Sequence, residues 1–175
     1  NSFSGSSFIK YLLGNGHDVI GISRSPEIHS VFLAYGEKSK VNFTFYNLDL
    51  NNDLEHFVST ISDYRPDYVV NFAAQGMVAQ SWDKPGDWFQ TNTVATIKLH
   101  DELRKFDWLK KYVHVSTPEV YGSCSGLVKE DKVFNPSTPY AVSRAAADLS
   151  LLSFIKSYNF PVVFTRAANV YGEHQ

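Results

Sequence analysis

The chain has 175 residues, 43% hydrophobic and 19% charged, the make-up of a globular domain with a sizeable core rather than a disordered segment. A net charge of -2, from 16 basic and 18 acidic residues, gives no electrostatic case for nucleic acid or an anionic membrane surface, so any anionic ligand must be held locally. The single cysteine, Cys124, excludes an internal disulfide framework or a cysteine-rich zinc site, and the 6 histidines show no metal spacing. With no signal-peptide pattern and no bilayer-spanning apolar run, a reducing cytoplasmic location is the expectation.

Asn1 to Ser7 reads as a small-residue loop feeding a helix over Phe8 to Leu13, which stops at Gly14-Asn15-Gly16. Free backbone N–H groups and the helix dipole make such a junction a site for anions. A loop of this kind normally follows a buried strand. The first strand and the first glycine of the loop are therefore expected to be missing from residues 1–175.

His17 to Ile22 reads as a strand. Val41, Phe43 and Phe45 alternate as in a half-buried strand that ends in Asn47-Leu48-Asp49-Leu50. Asp53 to Tyr64 is an amphipathic helix with Leu54, Phe57, Val58 and Ile61 on one face. Tyr68 to Ala74 is a buried-strand run, closed by the polar stretch Gln75 to Gly86. Asp87 to Phe106 has one long helical pattern, Tyr112 to Ser116 a strand, Ala141 to Tyr158 a helix and Val162 to Phe164 a strand. Strands separated by helices throughout predict right-handed crossovers and a doubly wound parallel sheet, an α/β domain over residues 1–175. His114, in mid-strand, is read as a core histidine, and Trp82, Trp88 and Trp108 as packing residues or, on the long helices, as part of a subunit contact.

Ligands of such sheets bind at the carboxyl ends of the strands. There lie the Ser2 to Ser6 loop, Ser23-Arg24, Asp49-Leu50, Asn71 to Gln75, Ser116 to Glu119 and Ala168-Asn169. Tyr140 and Arg144 are four apart and share a face at a helix start. A cation beside a phenol favours the phenolate, as proton exchange near neutrality requires. The alternative is a helix-surface tyrosine with Arg144 paired to Asp148, another four residues on.

Taken together, these segments resemble the extended short-chain dehydrogenase/reductase family, and within it the nucleotide-sugar 4,6-dehydratases and their epimerase relatives. The resemblance runs the length of the chain. Ser2, Phe3, Ser4 and Gly5 match the end of a glycine-rich loop, Asp49-Leu50 the adenine-contacting pair, and Asn71-Phe72-Ala73-Ala74-Gln75 the segment beside the cofactor phosphates and ribose. Ser116-Thr117-Pro118-Glu119-Val120-Tyr121-Gly122 matches the active-site strand end, Pro139-Tyr140 to Arg144 the Tyr-x-x-x-Lys helix, and Arg166 to Gly172 the segment that opens the substrate site.

The resemblance implies a Rossmann-like fold and a nicotinamide dinucleotide, NAD or NADP, held by these segments with Asn92, Ser116, Tyr140 and Arg144. It implies a nucleotide-sugar substrate near Gln75, Ser81, Thr117, Pro118, Glu119, Tyr140 and Asn169. Tyr140 would take the proton from the sugar 4-hydroxyl, Thr117 would hydrogen-bond the same oxygen and Arg144 would stabilise the phenolate. Glu119 would remove the C5 proton before water leaves from C6.

Departures from the family pattern sharpen the expectations. Ser2 stands in place of the middle glycine. Ser23-Arg24 replaces an acidic residue at the adenosine ribose, which favours NADP because a hydroxyl and a guanidinium attract a 2′-phosphate that a carboxylate repels. Arg144 occupies the lysine position, and the two side chains are not interchangeable. Pro118 replaces the aspartic acid that protonates the departing hydroxyl in many dehydratases, so Glu119 is assigned both base and acid roles. A 4,6-dehydratase is the reading that results; an epimerase or reductase, a decarboxylase of a nucleotide-uronic acid and a non-catalytic cofactor-binding protein are the alternatives. The resemblance further implies a homodimer paired through the two long helices and a C-terminal substrate lobe that residues 1–175 lack.

Overall fold

The computed structural model describes residues 2–36, 41–130 and 133–173. They form two compact units, Asn1–Phe57 with Asn169–Gln175, and Val58–Ala168. In the first, helix α1 (Phe3–Gly14) precedes strand β1 (Val19–Ser23), which pairs in parallel with β2 (Phe43–Asn47) in the register Val19↔Phe43 to Ser23↔Asn47. Helix α2 (Leu54–Tyr64) follows and runs across the boundary between the units. The second unit holds a three-stranded parallel sheet in the order β3 (Tyr68–Asn71), β4 (Lys111–Val115), β5 (Val162–Thr165). Its helices are α3 (Pro85–Phe89), α4 (Thr96–Leu103) and α5 (Pro139–Tyr158). Parallel strands joined through helices make this the expected Rossmann-like α/β architecture.

Three boundaries differ from those read in the sequence. Helix α1 begins at Phe3, five residues early, because Ser2 caps it: its backbone is extended (φ -79, ψ 152) and its Oγ accepts from Gly5 N at 3.1 Å. Phe3, Ser4 and Gly5 are thus the first helical turn, not loop. Strand β3 ends at Asn71, whose Oδ1 turns back to accept from Ala73 N at 2.9 Å, an alternative to the sheet ladder that short amide side chains offer the backbone. The long helix expected over Asp87 to Phe106 is broken by a π-helical turn, Gln90–Ala95, between α3 and α4.

The core of the second unit is built by Leu99, Leu103, Tyr112, Val120, Ala141, Ala147 and Leu151, all fully buried. Helix α5 starts where Thr138 Oγ1 accepts from Ala141 N at 3.1 Å, with Pro139 at its first position, and stops at Asn159 in the left-handed region (φ 52). Trp88 is buried as expected, whereas Trp82 is 64% exposed and is not a packing residue.

Gly122 closes the short 3₁₀ turn Pro118–Tyr121 with φ +72, and a Cβ there would run into the backbone oxygen of Asn135. Gly122→Ala should therefore destabilise the second unit by about 1–3 kcal/mol. Urea unfolding checks it, and an unchanged midpoint would show that the turn is not held in this conformation.

Candidate active site

In the first unit, the opening turn of α1 carries the candidate anion site. Ser6 N is the first amide bonded back along the helix, to Ser2 O at 2.8 Å, so the Phe3 and Ser4 amides precede the ladder and face the end where the dipole favours negative charge. A cavity of about 400 Å³ is lined by Phe3, Ser4, Ser7 and Lys10 of α1, by Ala34 and by Val170 to Glu173. Those donors fit a phosphate of a dinucleotide. Ser23 ends β1, and its carbonyl accepts from Leu48 N and Asn47 Nδ2, both at 3.0 Å. Arg24 is exposed.

Asp49 spends its carboxylate on the turn into α2. Oδ1 accepts from Asn51 N (2.9 Å) and Asn51 Nδ2 (3.2 Å), and Oδ2 from Asn52 Nδ2 (3.1 Å). Leu50 is buried beside it. Asn169, exposed with φ 43, also belongs to the first unit.

In the second unit the candidate catalytic residues gather around the carboxyl end of β4 and the start of α5. Thr117 opens the 3₁₀ turn, its Oγ1 accepting from Glu119 N at 3.3 Å. A hydroxyl used as an acceptor still has its proton to donate. Glu119 stands half-buried on the first turn beyond it, with Pro118 between, and this turn packs on α5. Tyr140 is half-buried at the second position of α5.

The first turns of α5 are pinned from several sides. Ser81 is fully buried; its Oγ donates to Val78 O (2.6 Å) and accepts from Tyr140 N (3.2 Å), so its hydroxyl is committed to the helix start. Asn92, fully buried in the π-helical turn, accepts from Gln75 N (2.7 Å) and donates to Gln75 O and Ser143 Oγ, each at 3.0 Å. Thr93 Oγ1 donates to Ser143 O at 2.9 Å. The π turn explains itself through these bonds, since Asn92 links the Asn71 to Gln75 segment to the tyrosine-bearing helix. Phe72 is half-buried and Ala73 and Ala74 are exposed at the end of β3.

Arg144 takes a course that the sequence did not suggest. Only 2% exposed, it donates from Nη2 to Val115 O, the last carbonyl of β4, while Nε and Nη1 have no partner. It does not pair with Asp148, and its guanidinium lies inside the unit rather than on the helix surface. Its charge acts on a buried polar chain. Tyr112 Oη accepts from Asn71 Nδ2 (3.0 Å) and lies 3.0 Å from His100 Nε2 and 3.4 Å from His114 Nδ1. His114 Nε2 approaches Asp148 Oδ1 at 3.3 Å, and Asp148 Oδ2 accepts from Ser116 Oγ (2.8 Å) and Arg166 Nη2 (2.7 Å). His114 is the buried core histidine that its mid-strand position implies.

Burial holds His100 well below the ordinary histidine value of 6.5, with His114 and Arg144 adding to it. Burial likewise lowers His114, against the pull of Asp148 and with the help of Arg144 and Arg166. Burial would raise Asp148, but the contacts with His114, Arg166 and Ser116 outweigh it and leave the carboxyl below its usual 3.8. Folded histidines that resist protonation bind fewer protons than the unfolded chain. Stability should thus fall as pH drops below 6.5, by up to about 1.4 kcal/mol per pH unit for each such histidine. Loss of the ionised Asp148 adds to the decline only below 3.8. Thermal melts across this range check it, and His100→Gln should flatten the slope.

The family profile described as GDP-mannose 4,6 dehydratase matches residues 2–175. The chain belongs to this family. Its relatives include the dTDP-glucose 4,6-dehydratase of Haemophilus influenzae, 29% identical over 187 residues that cover 100% of this chain and 55% of that protein. The human dTDP-D-glucose 4,6-dehydratase is 36% identical over 139 residues, 78% of this chain and 39% of that one. Among solved structures, the UDP-glucuronic acid 4-epimerase of Bacillus cereus, in complex with its nucleotide-sugar and NAD, has a TM-score of 0.84 and 30% identity, over 99% of this chain and 56% of that one. The dTDP-glucose 4,6-dehydratase of Streptomyces venezuelae, solved with NAD bound, has a TM-score of 0.83 and 26% identity, over 99% and 55%. The chain spans about half the length of the relatives it matches. Among the described residues, no cluster of metal-ligating side chains exists and no helix is long and apolar enough to cross a membrane.

Proposed function

We propose that the protein is a nucleotide-sugar 4,6-dehydratase, with residues 1–175 as its dinucleotide-binding domain. The observation that carries this reading is Glu119, a carboxylate on the turn at the end of β4 that packs on α5, the helix bearing Tyr140. The amides of Phe3 and Ser4 would hold a cofactor phosphate. Nicotinamide dinucleotide, when bound, supplies the acceptor that takes up one hydride and later returns it.

Tyr140 would take the proton from the sugar 4-hydroxyl, with Thr117 donating its hydroxyl proton to the same oxygen. A ketone at C4 acidifies the hydrogen on C5. Glu119 would remove that proton and, as the carboxylic acid, hand it to the hydroxyl leaving C6. One proton then serves both steps, and Pro118 needs to supply none. The proton that C5 regains as the hydride returns to C6 would come from water through Glu119, balanced by the 4-hydroxyl proton that Tyr140 gives up to solvent. Arg144, with its fixed charge at the last carbonyl of β4, supports this end of the strand from within.

The deciding experiment incubates the full-length protein with dTDP-glucose or GDP-mannose. A 4-keto-6-deoxy product supports the reading; a configurational isomer would replace it with a 4-epimerase, which Pro118 and the likeness to solved epimerases favour. Tight cofactor binding with no turnover of either sugar would leave a binding protein. Ser23 and Arg24 favour NADP, whereas the two solved relatives hold NAD; competition between the two cofactors for the protein decides. A cytoplasmic homodimer completes the proposal, supported by the exposed Val142 and Leu149, two turns apart on α5, and by Val94 on the π turn.

A further inference from the structure

The buried chain that ends at Arg166 has no part in the chemistry above, yet it touches both ends of the segment that carries Glu119. At one end, Ser116 Oγ donates to Asp148 Oδ2 at 2.8 Å. At the other, the guanidinium of Arg166 lies 5.3 Å from the ring centre of Tyr121, and 5.2 Å from those of Phe134 and Phe164. The two anchors are joined by the Arg166–Asp148 ion pair at 2.7 Å. Phe134 precedes α5, and its neighbour Asn135 donates its amide to Val120 O at 2.9 Å. One ion pair therefore ties together α5, β5, the end of β4 and the turn between Thr117 and Gly122. Buried pairs of this kind add little net stability over an apolar filling, but removing one member leaves a buried charge uncompensated. What the pair supplies is geometry.

We propose that Asp148 and Arg166 are a positioning couple for Glu119: through Ser116 and Tyr121 they fix the turn that sets the carboxylate, without contacting the sugar. The inference rests on the dehydratase reading of Glu119. Water loss, which takes its acid and base from Glu119 on this turn, should then be more sensitive to the couple than oxidation at C4, which uses Tyr140 on α5 and takes from the turn only the Thr117 hydroxyl. A displacement of about 1 Å can cost roughly 100-fold in rate.

The test compares single-turnover appearance of reduced nicotinamide with release of the dehydrated sugar, in the full-length holoenzyme supplied with dTDP-glucose or GDP-mannose, whichever the wild type dehydrates. In Asp148→Asn and Arg166→Gln, water loss should slow by about 10- to 100-fold while cofactor reduction stays within roughly threefold. The double variant should be no slower than the slower single, since the two act as one unit. Tyr121→Leu removes one ring of the cage and leaves the ion pair intact, so it decides the matter if the charge variants do not fold; it too should slow water loss selectively. Equal loss of both steps, or no loss of either, overturns the couple. A wild type that dehydrates beside variants without this selectivity defeats the inference alone. A wild type that never releases a dehydrated sugar defeats the dehydratase reading and the couple with it.

Discussion

Replacing Glu119 with Gln is expected to lower the release of 4-keto-6-deoxy sugar by about 10²- to 10⁴-fold, the usual worth of a positioned acid or base. The amide has the size of the carboxylate, and the bond that shapes the turn runs from the Glu119 backbone N–H to Thr117 Oγ1, so the turn survives the change. Oxidation at C4 does not use this side chain and should persist, visible as reduced nicotinamide that accumulates without product. Full dehydration by the Gln variant would remove Glu119 from the chemistry.

Tyr140→Phe should fail one step earlier. The Tyr140 contacts that hold the start of α5 are made by its backbone, N–H to Ser81 Oγ at 3.2 Å and C=O from Ser143 Oγ at 2.7 Å. The phenylalanine variant should therefore fold within about 0.5 kcal/mol of the wild type, checked by thermal melting. It loses the group that accepts the 4-hydroxyl proton, so cofactor reduction itself should fall by about 10²- to 10⁴-fold. The pair of variants separates two blocks: reduced cofactor builds up in the first and never forms in the second. A Tyr140→Phe enzyme that reduces cofactor at the normal rate would move the proton acceptor elsewhere.

Most of the fold could be read from periodicity. Apolar runs marked β4 and β5, and the helical pattern over Ala141 to Tyr158 marked α5, which the Thr138 cap starts two residues earlier, at Pro139. Where the reading slipped, a side chain had captured the backbone. Ser2 drew α1 forward into a glycine- and serine-rich stretch that helix propensity would leave as loop, and Asn71 cut β3 short. The placement of Thr117, Glu119 and Tyr140 was legible because each sits on a recognisable strand end or helix start. Arg144 was not, because a sequence offers it only neighbours one turn away, Tyr140 and Asp148. In the folded chain Asp148 instead meets Arg166, eighteen residues on and across β5, and Arg144 turns to a main-chain oxygen that no sequence pattern marks. Buried polar partnerships made across strands leave no periodic trace.

The π-helical turn at Gln90–Ala95 amounts to one residue more than an α-helix would use over the same span. Since each residue advances an α-helix by about 100°, the turn lets α3 and α4 keep independent rotational settings: α3 turns Trp88 inward, and α4 turns Leu99, His100 and Leu103 inward. Deleting a single residue there would straighten the helix, swing Asn92 off Gln75 and rotate either α3 or all of α4 out of phase with the core. Hydrophobicity would be preserved in such a deletion, and the fold would still be lost. The length of this short stretch is thus constrained as tightly as the identity of the residues within it.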